Sequence, residues 1–274
     1  MKNIKTFYIN KQTADGNIQS KEDNVVTEAP LQIIIAYNHK SERKKEVLSV
    51  TMRTPGNDFD LVTGFLFNEA LIAKASDILM MRFTNDDENS LLAELSDAVE
   101  INTNETKRNF MATSACGFCG RMEDTSKKIL FVQPDNNLKI DAAILYKLPD
   151  QLQSSQNLFS ETGGAHAVAL VSINGELLHI SEDVGRHNAM DKLVGNMLKQ
   201  HALPLNNHIL LFSGRLSYEL IQKSLMAGIS IVCAIGAPTS LAIELAEDFG
   251  LTVIGFLKKD SFNIYCGAQR IIQL

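Results

Sequence analysis

Tryptophan is absent from the 274 residues, and Phe and Tyr bring the aromatic share to only 7%. A chain so poor in large flat rings has little material for stacking successive bases, which argues against a single-stranded nucleic-acid platform. A positive surplus is absent too: 26 Lys and Arg face 32 Asp and Glu, for a formal net charge of -6. Displacing the counterions condensed on a phosphate backbone needs an excess of Lys and Arg, so no nucleic acid is expected among the partners. No run approaches the roughly 20 apolar residues of a membrane span. The opening MKNIKTFYINKQTADGN also lacks the apolar core of a secretory leader, so we expect no membrane span and a cytoplasmic protein. Cysteine is scarce: Cys116, Cys119, Cys233 and Cys266 are the full set. A chain of this size does not depend on disulfide staples, and reduced thiols are expected.

What is present is 45% hydrophobic residue content, enough for one large core or two modest ones. Residues 1–27 are polar without a sustained period and predict a flexible tail or a lone edge strand. Residues 28–107 predict a small α+β domain. Two β-like runs, Leu31 to Tyr37 and Lys45 to Met52, flank the charged loop HKSERKK. A helix follows from Asp58, its cap, with Leu61, Phe65, Leu66, Ala70 and Leu71 on one stripe. Short strands Ile78 to Phe83 and Leu91 to Leu95 close the unit across the acidic turn TNDDENS. Residues 108–125 have no clean period and read as an exposed loop.

Residues 126–274 predict an α/β domain. After a helix-like stretch from Asp141, a strand from His166 to Ile173 and a partner from Leu177 to Ser181 flank Asn174-Gly175, which predicts a type I′ turn. Helices Arg186 to Gln200, Ser217 to Ala227 and Ser240 to Phe249 then alternate with strands Ile209 to Phe212, Ile231 to Ile235 and Thr252 to Leu257. Such alternation predicts a largely parallel sheet.

The sharpest chemical feature is Cys116-Gly117-Phe118-Cys119-Gly120. Two thiols at this spacing can share a proton, a disulfide, a metal or a persulfide. Structural zinc needs four ligands and nothing nearby supplies the other two, iron-sulfur ligation needs more cysteines, and a thioredoxin-type site needs a βαβ context. Arg121 favours a thiolate, and the flanking glycines suit a mobile loop carrying sulfur between two sites. A second cluster, Glu182-Asp183-Val184-Gly185-Arg186-His187-Asn188, leads into a helix and reads equally as an anion site, with Arg186 and His187 reinforcing the dipole, or as a charged cap. Ser213-Gly214-Arg215 and Gly236-Ala237-Pro238-Thr239-Ser240 each follow a predicted strand and precede a helix, the place where open α/β sheets collect phosphorylated ligands. None is a Walker A or GxGxxG fingerprint, so no nucleotide is named by them. His166 could stand near the same pocket as an acid, base or donor, although a lone His at a strand start is more often structural. The HxE pattern of zinc deaminases fails, because Ala167 and Val168 follow His166. Cys233 and Cys266 read as core thiols.

RTPGNDFDLVTGFLFNEALI, SACGFCGR, ETGGAHAVAL, EDVGRHNAMDKLVG, SGRLSYELIQK and GFLKKDSFNIY, in this order from about residue 28 to the C-terminus, resemble the formate dehydrogenase accessory sulfurtransferase family. The resemblance implies a sulfurtransferase that accepts sulfur from a cysteine desulfurase as a persulfide. It would deliver that sulfur to Mo-bis(molybdopterin guanine dinucleotide), the molybdenum cofactor that formate dehydrogenase needs. It implies Cys116 as persulfide carrier with Cys119 as partner, no structural metal, and a homodimer. It also implies a C-terminal domain of cytidine-deaminase-like three-layer fold beside the smaller α+β unit. The cofactor-contacting stretch would be Phe256, Leu257, Lys258, Lys259, Asp260 and Ser261, with Arg186, His187, Ser213, Gly214 and Arg215 around the phosphates. Lys258-Lys259 stands where relatives often have Arg-Gly, which keeps charge and loses a planar bidentate contact. Ala70 stands where relatives often carry Gly, a difference expected to affect packing only slightly. Two other readings are a chaperone that binds the cofactor without chemistry and a zinc-stabilised binding module.

Overall fold

A computed structural model describes residues 1–39, 42–84, 86, 88–99, 101, 131, 133–135 and 137–273. Cys116, Cys119 and the loop expected at 108–125 lie outside the described residues.

Residues 1–27 differ from the expected tail. They form an antiparallel hairpin of β1 (Ile4–Gln12) and β2 (Ile18–Val26), paired from Ile4↔Val26 to Gln12↔Ile18. The turn contains Asp15-Gly16, with Gly16 in the left-handed region at φ 83°. Both faces of this ribbon are largely exposed, so no apolar alternation marked the strands. Backbone pairing and the turn residues carry it instead.

The next unit is a four-stranded sheet of β3 (Ala29–His39), β4 (Glu42–Arg53), β5 (Ile78–Phe83) and β6 (Ser90–Leu95) in the order β4-β3-β6-β5. β3 and β6 are parallel, so the chain must cross over between them, and the crossover holds helix α1 (Asp58–Asn68). Period-two alternation places Leu31, Ile33, Ile35 and Tyr37 of β3 with Leu91, Ala93 and Leu95 of β6 on one buried face, where Leu61, Val62 and Leu66 of α1 cover them. Arg53, fully buried at the end of β4, is neutralised by Asp58 at 2.7 Å and donates to the Glu88 carbonyl at 2.9 Å.

α1 ends in a Schellman turn: the Leu71 amide donates to the Leu66 carbonyl and the Ala70 amide to Phe67, each at 2.9 Å. Ala70 stands at φ 57°. The expectation that Ala in place of Gly here affects packing only slightly misses the backbone, because a Cβ is disfavoured in that region.

The larger unit begins with β7 (Ile140–Asp141) and helices α2 (Ala142–Leu145), α3 (Leu148–Ser155) and α4 (Asn157–Thr162). It continues with β8 (His166–Ser172), β9 (Leu177–Asp183), α5 (Arg186–Lys199), β10 (His208–Phe212), α6 (Tyr218–Met226), β11 (Ile231–Ala234), α7 (Ser240–Asp248), β12 (Thr252–Gly255), β13 (Asn263–Cys266) and β14 (Ile271–Ile272), which pairs with β7. The six-stranded sheet runs β13-β12-β11-β10-β8-β9. β10, β11 and β12 pair in parallel, β8 and β13 run against them, and β9, antiparallel to its neighbour β8, runs with them, so the sheet is mixed rather than largely parallel. The β8–β9 connection also departs from type I′, since Gly175 at φ 86° has positive φ and Asn174 does not. Alternate residues of β10 serve opposite cores. Leu210 and Phe212 pack under α5, α6 and α7, while Ile209 and Leu211 pack against Leu145, Leu148 and Leu152 of α2 and α3. Cys233 is fully buried in the second of these cores, as its apolar run predicts. Among the described residues no helix is long and apolar enough to cross a membrane.

The two units meet along α1 and α5. A Cβ added to Gly64 would stand 1.9 Å from the Asp191 carbonyl oxygen, and one added to Gly195 would stand 1.9 Å from the Asp60 carbonyl oxygen. The helices therefore touch backbone to backbone, a spacing that only glycine allows. Polar pairs cross the same seam: Asn68 Nδ2 donates to Asp191 at 2.7 Å, and Lys199 lies 2.5 Å from Asp60.

Two substitutions in α1 and its cap should act in opposite directions. Gly64→Ala inserts a methyl where backbone already sits and is expected to lower unfolding free energy by about 1–3 kcal/mol. Ala70→Gly relieves the left-handed residue and is expected to raise it by about 1 kcal/mol. Urea unfolding midpoints measure both, and an unchanged Gly64→Ala midpoint would contradict the close helix contact.

Candidate functional site

β10, β11 and β12 run in the same direction, so their carboxyl ends lie along one edge, and the turns that follow are joined to one another. The Gly236 amide donates to the Gly214 carbonyl at 3.2 Å, Leu216 to Ala237 at 3.0 Å, Thr239 to Leu216 at 2.9 Å and Phe256 to Gly236 at 3.0 Å. A Cβ on Gly236 would meet the Gly214 oxygen at 2.8 Å and the Arg215 nitrogen at 2.9 Å, so glycine is what lets adjacent turns close into a continuous shelf.

Ser213 is partly committed to that shelf. Its hydroxyl accepts from the Ala167 amide at 2.9 Å while its own amide donates to the Ala167 carbonyl at 3.0 Å, which fastens the turn to the start of β8. Gly214 lies against His166: a Cβ there would stand 3.2 Å from Nδ1. Arg215 is exposed at the lip of the turn.

The start of α5 comes to the same place. Its N-cap, Gly185, supplies no side-chain acceptor. Arg186 is partly buried, and among the described residues its Nε has no hydrogen-bond partner. His187 Nε2 lies 2.9 Å from Glu219 and 3.1 Å from Ser217 Oγ, linking α5 to the first turn of α6. Serine and carboxylate meet the same ring nitrogen, so this is not a nucleophile triad, in which the acid holds the opposite nitrogen.

Asp183 anchors the segment from below. It is fully buried and lies 2.7 Å from Lys192, and it accepts from the amides of Thr54 at 3.1 Å and Gly185 at 2.8 Å and from Asn188 Nδ2 at 3.1 Å. Lys192 also donates to the Thr54 carbonyl at 2.8 Å. Thr54 carried no local signal, because its partners Asp183 and Lys192 lie more than a hundred positions away in the chain.

His166 is half-buried among these charges. Burial, and then the Arg186 guanidinium, hold its pKa below the ordinary imidazole value; Asp183 opposes them, and His187 and Arg215 add to the lowering.

The stretch 256–261 divides. Phe256 is exposed with φ 51°, a conformation rare for a bulky residue and characteristic of functional turns. Leu257 is 1% exposed and belongs to the core, so its side chain does not face the shelf. The Lys258 amide donates to the Ser261 carbonyl at 2.8 Å, closing a turn in which Ser261 Oγ donates to Asp260 at 3.0 Å. Lys259 pairs with Asp150 at 2.8 Å in the open, an interaction of small energy in water. Cys266 lies apart from the shelf on β13, its thiol pushed up to about 11 by burial, and Cys233 is pushed up further still.

The family model described as FdhD/NarQ family matches residues 26–272. A protein named sulfur carrier protein FdhD from Sulfurisphaera tokodaii is 39% identical over 99% of each chain. Another of that name from Streptomyces coelicolor is 41% identical over 94% of this chain and 92% of its own. A crystal structure from Desulfotalea psychrophila, described as a formate dehydrogenase accessory protein, superposes with a TM-score of 0.75 over 98% of this chain and all of that one at 24% identity, a likeness of fold.

The charges around His166 predict its titration. Its NMR resonance should titrate below 6.5, and Arg186→Gln should move the midpoint upward by removing a repelling cation. Because the folded value is depressed, the group's stabilising contribution is present above the unfolded pKa of about 6.5 and is lost as pH falls through the folded value. A midpoint at or above 6.5 in the wild type would contradict this arrangement.

Proposed function

The chain belongs to the FdhD/NarQ family, and on that premise we propose that it is a sulfur carrier in the maturation of formate dehydrogenase. Cys116 thiolate attacks the terminal sulfur of a cysteine desulfurase persulfide. The new S–S bond leaves Cys116 as the persulfide and releases the desulfurase thiolate. The recipient is the Mo-bis(molybdopterin guanine dinucleotide) cofactor, held as cargo rather than as a resident group.

The observation that carries the cargo site is the shelf of three joined turns with Arg186, Arg215 and His166 beside it. Arg186 Nε, without a partner among the described residues, fits an anionic ligand, since a buried donor left without an acceptor is costly. The guanidiniums hold the phosphates, and backbone amides of the turns approach them where glycine leaves room. Phe256 offers an exposed ring for the guanine. Lys258 supplies the remaining charge on the 256–261 turn, since Lys259 is drawn toward Asp150. A Lys here contacts phosphate as a point charge and lacks the bidentate fork of Arg. The β9-β8-β10-β11-β12 order, with helices on both faces, supports a cytidine-deaminase-like reading of the larger unit, and we place the protein in the cytoplasm as a homodimer.

Intact mass spectrometry after incubation with a cysteine desulfurase and cysteine tests the relay. The wild type and Cys119→Ala should gain one sulfur, about 32 Da, and Cys116→Ala should not. No gain in the wild type, with an active desulfurase, would replace the relay with a chaperone that only holds the cofactor.

A further inference from the structure

His166 differs from the other histidines near the shelf. His187 is engaged by Ser217 and Glu219, and His179, farther back along β9, by Ser181 at 3.2 Å. No group among the described residues hydrogen-bonds either nitrogen of His166, although the ring is half-buried with Gly214 against Nδ1 and Cε1. The charged groups acting on it come from three directions: Arg186 and His187 at the start of α5, Arg215 in the turn after β10, and Asp183 at the end of β9. Asp183 is itself paired with Lys192 and accepts from two backbone amides and Asn188. The free site therefore presents fixed cations and an imidazole with unused hydrogen-bonding capacity. An anion arriving among these groups reverses the local balance and favours the imidazolium form.

We propose that His166 is a proton-linked contact for the cargo's phosphates: neutral in the free protein, it takes one proton from solvent as a nucleotide diphosphate seats beside Arg186 and Arg215, and it donates a charge-assisted hydrogen bond to a phosphate oxygen. This rests on the cargo-site reading above. The step moves one proton from solvent to imidazole and makes or breaks no other bond. Its consequence is that the cargo is held more tightly as pH falls toward the free protein's His166 midpoint and is released as pH rises.

Calorimetric titration with GDP-mannose is the test, because its diphosphate is esterified at both ends and does not itself titrate near neutrality. Titrations at one pH in buffers of different ionisation enthalpy report the protons exchanged. The wild type should take up close to one proton per site just above neutrality, and its Kd should rise by up to about tenfold per pH unit there. His166→Gln should bind without proton uptake and with a flat pH profile. Histidine Cε1 NMR of the wild type with and without GDP-mannose gives the same answer independently of that variant: the His166 midpoint should move upward on binding. Uptake that persists in His166→Gln, wild-type binding without uptake, or an unmoved midpoint overturns the inference and leaves the cargo site standing. Absence of binding to the wild type, or binding unaffected by Arg215→Ala, overturns the cargo site and the inference together.

Discussion

Two helices from different parts of the chain touch backbone to backbone at Gly64 and Gly195, and the placement of everything at the shelf depends on that contact. The approach leaves no room for side chains between the axes, so translation of α1 over α5 is limited by hard-sphere repulsion rather than by adaptable packing. Asn68 on α1 reaches Asp191 on α5, and Lys223 of α6 closes on the same carboxylate at 2.6 Å. Three helices thus share one buried acid. Removing one member of such a set leaves a buried charge unpaired, which is the costly outcome.

The same helix delivers its N-terminus to the shelf. Asp183, immediately before α5, binds Thr54 of the smaller unit through that residue's amide, while the Val184 amide donates to Thr54 Oγ1 at 3.0 Å and Asn188 Nδ2 to the Met52 carbonyl at 2.7 Å. Through these bonds the smaller unit sets the angle at which Gly185, Arg186 and His187 meet the turns of β10 and β11. Electrostatic sites work through such preorganisation, because donors that are already aimed need no reorganisation when the anion arrives. A buried Lys192–Asp183 pair keeps the charge of that acid satisfied within the protein, beneath the partly buried Arg186 and the exposed Arg215.

Local pattern made part of this legible. Strands β10, β11 and β12 are short apolar runs bounded by Gly, and the turns after β10 and β11 could be located from the sequence because strand, glycine turn and helix succeed one another in each; the turn after β12 leads into β13 instead. The CxxC was equally plain as a motif, although it lies outside the described residues. What escaped the sequence reading was non-local or conformational. The β1–β2 ribbon has no buried face to generate a period, and the antiparallel entries of β8 and β13 depend on which edge each strand joins. Leu257 sits in the stretch expected to contact the cofactor yet points inward, as alternation past the end of a strand cannot reveal. Ala70 stands in the left-handed region at the end of α1, which a helical stripe of apolar residues could not show. Lys192 looked like any polar position on an amphipathic helix until Asp183 and Thr54 closed around it.

Hydrogen exchange of the full chain with and without GDP tests the central claim most directly, since it reads the shelf amides themselves. Added protection should concentrate at 185–188, 213–217, 236–239 and 256–261, the segments whose amides border the proposed phosphate and guanine positions. Protection confined to other segments, or none at saturating GDP, would contradict a cargo site built on the joined turns.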